Sequence, residues 1–143
     1  ARSGNARAHH FKCGDGTLNF SFSGIKTAVF YKIKDMQRKT ALSKRQKSDL
    51  AASFQYSAVN SLVGKTIDAL VRKKAKSLIV GGGVAANRYF RELLQRCAED
   101  NGIRVFIARS ELCTDNASMI AGLGYQLYRS GKRDRLDFKP ILY

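Results

Sequence analysis

Val80-Gly81-Gly82-Gly83-Val84-Ala85-Ala86-Asn87-Arg88 closes an apolar run, turns on three consecutive glycines and opens an amphipathic stretch. It reads as strand, glycine turn and helix start. The strand is Lys76-Ser77-Leu78-Ile79-Val80, short and β-leaning. Phe90, Leu93, Leu94 and Cys97 follow at spacings of three and four, as one face of a helix would. Without Cβ atoms, glycines let backbone approach a phosphate or a base closely, and the next helix offers unpaired N–H groups and a partly positive end. A tight strand-to-helix connection favours glycine on its own account, so glycines alone leave a ligand site and a structural turn both open.

A second strand, Arg104-Val105-Phe106-Ile107-Ala108, follows the helix from about Ala86 to Asp100, with Asn101-Gly102 as its stop. The alternation of helix and strand predicts an α/β layer of adjacent parallel strands joined by a crossover helix. Ser110-Glu111-Leu112-Cys113-Thr114-Asp115-Asn116 leads into a last helix whose apolar stripe is Ile120, Leu123, Gly124 and Leu127. Thr114 is the candidate N-cap, which places Asp115 in the first turn, suited equally to capping or to ligating a metal. Both this helix start and the glycine turn fall at the carboxyl ends of neighbouring strands, the edge where open α/β sheets bind ligands.

Upstream, Ser48-Asp49 is read as the start of the longest helix, running to Lys73 or Lys74 with Phe54, Ala58, Leu62, Val63, Ile67 and Leu70 as its buried stripe. Gly64-Lys65-Thr66 inside it imitates the end of a P-loop. The imitation fails because Val59 stands where the first glycine belongs and the residues lie within a helix. Asn19 to Thr27 alternates aromatic and small polar residues and reads as extended, leading into a helix. Lys26, Lys32, Lys34, Arg38, Lys39, Lys44, Arg45 and Lys47 put eight cations in and after that helix, a solvated face or a nucleic-acid contact. Residues 1–19 carry no apolar period and read as connector; His9, His10 and Cys13 lack the spacing and fourth ligand of a metal cluster.

The whole chain has 143 residues, one domain by length, and its 44% hydrophobic content suffices for a core of ordinary size. A formal charge of +15 exceeds what solubility needs and points to a polyanion, nucleic acid first and an anionic membrane surface second. No segment is long and apolar enough for a transmembrane helix. Cys13, Cys97 and Cys113 are odd in number and widely spaced, as free thiols in a reducing compartment would be.

Three motifs in one order, Phe20-Ser21-Phe22-Ser23-Gly24-Ile25-Lys26-Thr27, Gly82-Gly83-Val84-Ala85-Ala86-Asn87-Arg88 and Cys113-Thr114-Asp115-Asn116, resemble the TsaD family of tRNA threonylcarbamoyladenosine synthases. The resemblance runs through essentially all of the chain but covers only the C-terminal portion of a typical member. It implies one lobe of the actin-like, sugar-kinase and Hsp70 ATPase (ASKHA, ribonuclease H-like) fold. Residues 1–47 would form a basic connector and first helix, 48–129 the nucleotide- and metal-site core, and 130–143 a basic tail. It implies transfer of threonylcarbamoyl from threonylcarbamoyl-AMP to N6 of the adenosine 3′ of the anticodon, in tRNAs reading codons that begin with A.

By the same resemblance, Asn87 contacts the nucleotide, threonylcarbamoyl-AMP or ATP, Gly82 and Gly83 line its site, and Asp115 ligates a divalent metal: iron, zinc or magnesium. No catalytic residue is carried over. The family's HxxxH metal-binding pair has no counterpart here, so the chain is expected to be an incomplete enzyme; a non-catalytic nucleotide- or tRNA-binding lobe is the alternative. The implied partners are tRNA, a threonylcarbamoyl-AMP synthase as supplier and accessory proteins, with no membrane. Self-association is a further expectation, through apolar surface that a missing lobe would leave bare. The expected location is bacterial cytoplasm, with mitochondria as the alternative.

Overall fold

Among the described residues, two strands and three α-helices are built around one long helix. In order they are α1 (Phe22–Gln37), α2 (Lys44–Arg72), β1 (Ser77–Val80), α3 (Arg88–Asp100), β2 (Arg104–Ile107) and α4 (Ala117–Arg129), with 3-10 turns at Gly83–Ala86 and Ser110–Leu112. The structure is a computed structural model that describes residues 1, 3–14, 16–38, 40–135 and 137. β1 and β2 pair in parallel, Leu78 opposite Val105 and Val80 opposite Ile107, with α3 as the crossover between them. The α/β layer read from the sequence is therefore present as a two-stranded sheet.

The long helix α2 is the spine. Its C-terminal half gives Val59 and Val63 to a core shared with Phe90 and Leu94 of α3, Ala85 and Cys113, packed on the inward residues Leu78, Val80, Val105 and Ile107 of the sheet. Its N-terminal half gives Leu50 and Ala58 to a second core with Ile25 of α1 and Phe11. Leu94 and Ala98 are fully buried, which accounts for the strict apolar spacing of α3. Burying such side chains is worth about 1.5–3 kcal/mol each for the larger ones.

Several boundaries differ from the sequence reading. The long helix begins at Lys44, because Ser43 forms a capping box with Gln46. Asp49 instead accepts the Asn5 backbone N–H at 2.7 Å, and the buried Ser53 hydroxyl accepts from His9 N–H and donates to the Asn5 carbonyl. The N-terminal connector is thus tied along α2. A Cβ at Gly4 would collide with the Ser48 carbonyl, so the crossing requires glycine there. Phe54, placed in the buried stripe by its spacing, is exposed.

Most of the aromatic and polar alternation after Asn19 is helical. α1 starts at Phe22 because Ile25, Val29, Ile33 and Met36 form a helical stripe against α2, which outweighs two alternating rings. Gly64, Lys65 and Thr66 lie inside α2, as the rejection of a P-loop requires. Lys65 donates to the Asn19 carbonyl and lies over the Phe20 ring.

α4 departs most. Asn116, not Thr114, is its N-cap, accepting the Met119 N–H at 3.0 Å, which leaves Asp115 outside the first turn. No residue of α4 is buried, and its stripe residues Ile120, Leu123 and Leu127 face solvent. The sheet shows the same one-sidedness: α2 and α3 cover one face, while Ile79 and Phe106 on the other are 85% and 57% exposed. Parallel sheets are ordinarily covered on both faces. Of the basic tail, residues 136 and 138–143 lie outside the described residues.

Candidate functional site

The glycine turn has a conformation only glycine adopts easily. Gly82 sits at φ 84° and ψ 169°, and open space lies where Cβ atoms of Gly82 and Gly83 would stand. The chain then makes one 3-10 turn, closed by Ala85 N–H to the Gly82 carbonyl, before α3 begins. The N–H groups of Gly83 and Val84 precede that first bond and point out of the turn's start. A polar ligand could therefore meet bare backbone here.

Asn87 ends the turn and caps α3. Its Oδ1 accepts the Phe90 N–H at 3.1 Å, which fixes the side chain and leaves the Nδ2 amide as a donor. It lines an open cleft of about 420 Å³ with Gln55, Arg88, Tyr89 and Glu92. Arg88 and Glu92 pair across its rim at 2.6 Å, so their charges cancel locally. Behind the cleft, Tyr89 stacks on Tyr56 and accepts a hydrogen bond from Asn60 at 2.9 Å, a rigid polar-aromatic wall. Gly82 and Gly83 do not line this cleft.

The Cys113-Thr114-Asp115-Asn116 segment is joined to the glycine turn by a residue the sequence reading passed over. Arg91 donates from Nε to the Ala85 carbonyl and from Nη2 to the Ala108 carbonyl, both at 2.5 Å, and from Nη2 to Cys113 Sγ at 3.2 Å. The Cys113 thiol, almost fully buried, in turn bonds the Ala108 and Arg109 carbonyls. One guanidinium fork thus staples the turn after β1 to the end of β2 and to the second motif, a task suited to planar Arg geometry. The available signal was positional: Arg91 lies three and seven residues before Leu94 and Ala98, on the flank of the buried face.

Asp115 is exposed, forms no ion pair among the described residues and lies outside the Asn87 cleft. Its carboxylate is free to bind a cation. It is a single ligand, however: among the described residues no group of three His, Cys, Asp or Glu stands together. One carboxylate does not make a metal site, so the donor set of this chain does not fit a resident metal by itself.

A second cleft, about 470 Å³, is lined by Arg7, His9, His10 and Cys13 of the connector with Tyr56 and Asn60 of α2. Burial there pushes the Cys13 thiol up, and Lys65 opposes the shift by attraction. Cys13, Cys97 and Cys113 are all free thiols. No residue of the three motifs reaches this cleft.

The likeness to known proteins is specific. Residues 1–122 match the family model TsaD, tRNA N6-adenosine threonylcarbamoyltransferase. A protein of that name from Symbiobacterium thermophilum is 43% identical over 147 residues, which is 99% of this chain and 41% of the relative. Clostridium botulinum strain 657 has one 43% identical over 144 residues, 99% of this chain and 42% of the relative. The Thermosipho africanus protein is 44% identical over 115 residues, covering 80% of this chain and 34% of its own length. The chain thus spans about two fifths of the length of the first two relatives, and with residues 1–122 matched by the family model it belongs to the TsaD family of tRNA N6-adenosine threonylcarbamoyltransferases.

Proposed function

We propose that this chain is the C-terminal portion of an enzyme that transfers a threonylcarbamoyl group from threonylcarbamoyl-AMP to N6 of the adenosine 3′ of the anticodon in tRNA. Its α/β unit is one lobe of the ASKHA fold, acting in the bacterial cytoplasm with a separate synthase supplying the adenylate and with accessory proteins. The observation that carries the reading is the Arg91 staple, which holds the glycine turn and the Cys113–Asn116 segment against each other.

In the reaction, the adenosine N6 attacks the carbamoyl carbon of the mixed anhydride, the new C–N bond forms as the anhydride C–O bond breaks, AMP leaves and N6 gives up one proton. The contribution of this chain is to bind and orient. Gly82 and Gly83 admit the nucleotide backbone-close, and the Asn87 amide donates to one of its acceptors, while the open side of the turn presents N–H groups to the phosphate. Asp115 is the ligand that the described residues supply toward iron, zinc or magnesium, the remaining ligands coming from the HxxxH pair that the family carries elsewhere. With the donor set incomplete, no step is assigned to the metal.

Calorimetric titration with AMP, with and without a divalent metal, tests the half-site. Micromolar to millimolar binding that vanishes in Asn87→Ser supports the reading; equal binding by both proteins sinks it. A second reading, a non-catalytic lobe with nucleotide or tRNA affinity only, is favoured by the lone carboxylate. Supplying the N-terminal part of a relative, metal, adenylate and tRNA separates the two. Modified adenosine in the digested tRNA supports the enzyme, and its absence supports the binding lobe.

A further inference from the structure

α1 faces α2 with Ile25, Val29, Ile33 and Met36, and its opposite face has an unusual composition for a solvated helix. Phe30 and Tyr31 are 60% and 63% exposed, and their rings meet edge to face with centroids 5.7 Å apart. Lys26, Phe30, Lys34 and Arg38 recur every fourth residue, so the aromatic pair lies in a row of cations, all exposed. None of these cations has an ion-pair partner among the described residues, and Asp35 is the sole acid between Phe22 and Ser48. The first turn of α2 extends the charge with exposed Lys44, Arg45 and Lys47.

Scattered cations on a helix ask for water; cations flanking bare π faces match a polyanion that also carries unstacked rings. We propose that the outer face of α1 is an RNA-contact surface, on which Phe30 and Tyr31 stack unpaired bases while Lys26, Lys34 and Arg38 neutralise the adjoining phosphates. RNA loops and single strands present such bases, whereas a duplex keeps its bases stacked and offers phosphates and 2′-hydroxyls instead. This surface rests on the reading of an RNA partner above. It is read by RNA titration at α1 and the nucleotide half-site by AMP titration at Asn87, so either can fail while the other stands.

The probes are a hairpin RNA with an open loop and a blunt duplex of equal phosphate number, titrated over a salt series. The proposal expects the hairpin to bind more tightly. Phe30→Ser with Tyr31→Ser lowers hairpin affinity about tenfold, leaving duplex affinity and the salt slope unchanged. Lys26→Gln with Lys34→Gln weakens both RNAs and flattens the slope of log K on log salt by about 1 for each phosphate no longer neutralised. Phe30→Leu with Tyr31→Leu keeps apolar area and helix propensity but removes the π faces, and must reproduce the fall in hairpin affinity. Parental affinity in either aromatic pair overturns the proposal, as does an equal fall for the duplex. Loss of binding to phosphatidylserine vesicles with RNA affinity intact assigns the face to a membrane surface instead. Loss of a self-associated species in the Leu pair, again with RNA affinity intact, assigns it to a second copy.

Discussion

At the residue scale, Asn87 has one observed duty and one proposed duty, which substitution can pull apart. Its Oδ1 caps α3 through Phe90 N–H, and its Nδ2 is left for a ligand. Asn87→Ala removes both, and losing the cap alone costs about 0.5–2 kcal/mol. Asn87→Ser retains a capping oxygen and deletes the amide. The expected outcome is a thermal midpoint lowered in Ala but near parental in Ser, with AMP affinity lost in both; retained affinity in Ser would assign Asn87 to the cap alone. The turn at Gly82 was legible in the sequence because glycine at positive φ is a local matter, whereas the cap by Asn87 was not read, and the ligand roles of Asn87, Gly82 and Gly83 were implied by the resemblance alone.

Arg91 was not legible, since its partners are the carbonyls of Ala85 and Ala108 and the thiol of Cys113, and backbone acceptors leave no pattern in the sequence. Arg91→Met leaves these part-buried acceptors without their donor, at a cost of about 1–3 kcal/mol. Arg91→Lys keeps the charge but loses the fork. As a positioning residue, Arg91 predicts that AMP affinity falls in Lys even under conditions where circular dichroism shows the chain folded, and that Met loses both stability and affinity. Parental AMP affinity in Arg91→Lys would reduce Arg91 to a core brace.

At the element scale, the crossover unit β1-α3-β2 followed from period and punctuation, and it stands where the spacing put it. The starts of α1 and α2 did not, because each was decided by a cap or a packing partner that competes with nearby signals: Ser43 over Ser48, and the Ile25 stripe over the ring alternation. α4 shows the same limit from the other side. Its stripe has the right period, but period says only that a face wants a partner, not that this chain supplies one. Exposed positions rarely change stability by more than about 0.5 kcal/mol. Ile120→Gln with Leu123→Gln is therefore expected to leave the denaturation midpoint of this chain unchanged, whereas Leu94→Ala in α3 costs about 2–5 kcal/mol. Equilibrium urea unfolding checks both, and a large loss in the α4 pair would show that α4 packs in solution.

At the scale of the whole molecule, two opposed forces act between copies of the chain. Ile79 and Phe106 leave one face of a two-stranded sheet bare, α4 adds Ile120 and Leu123, and the chain carries a charge of +15. Apolar area draws copies together, and so do the unpaired edges of a sheet this small. Like charge holds them apart, over a range that shrinks from about 30 Å at 0.01 M salt to about 8 Å at 0.15 M. Self-association of this chain should therefore strengthen as salt rises, while its affinity for RNA weakens over the same range, because counterion release favours RNA binding at low salt. Sedimentation velocity across a salt series reads the first trend. Ile79→Lys with Phe106→Lys, placed on the open face and away from both cores, should shift the population to monomer at every salt concentration without lowering the thermal midpoint. A monomer throughout the series in the parent chain would refute the association. An association that weakens with salt would assign it to charge pairing rather than to the open apolar face.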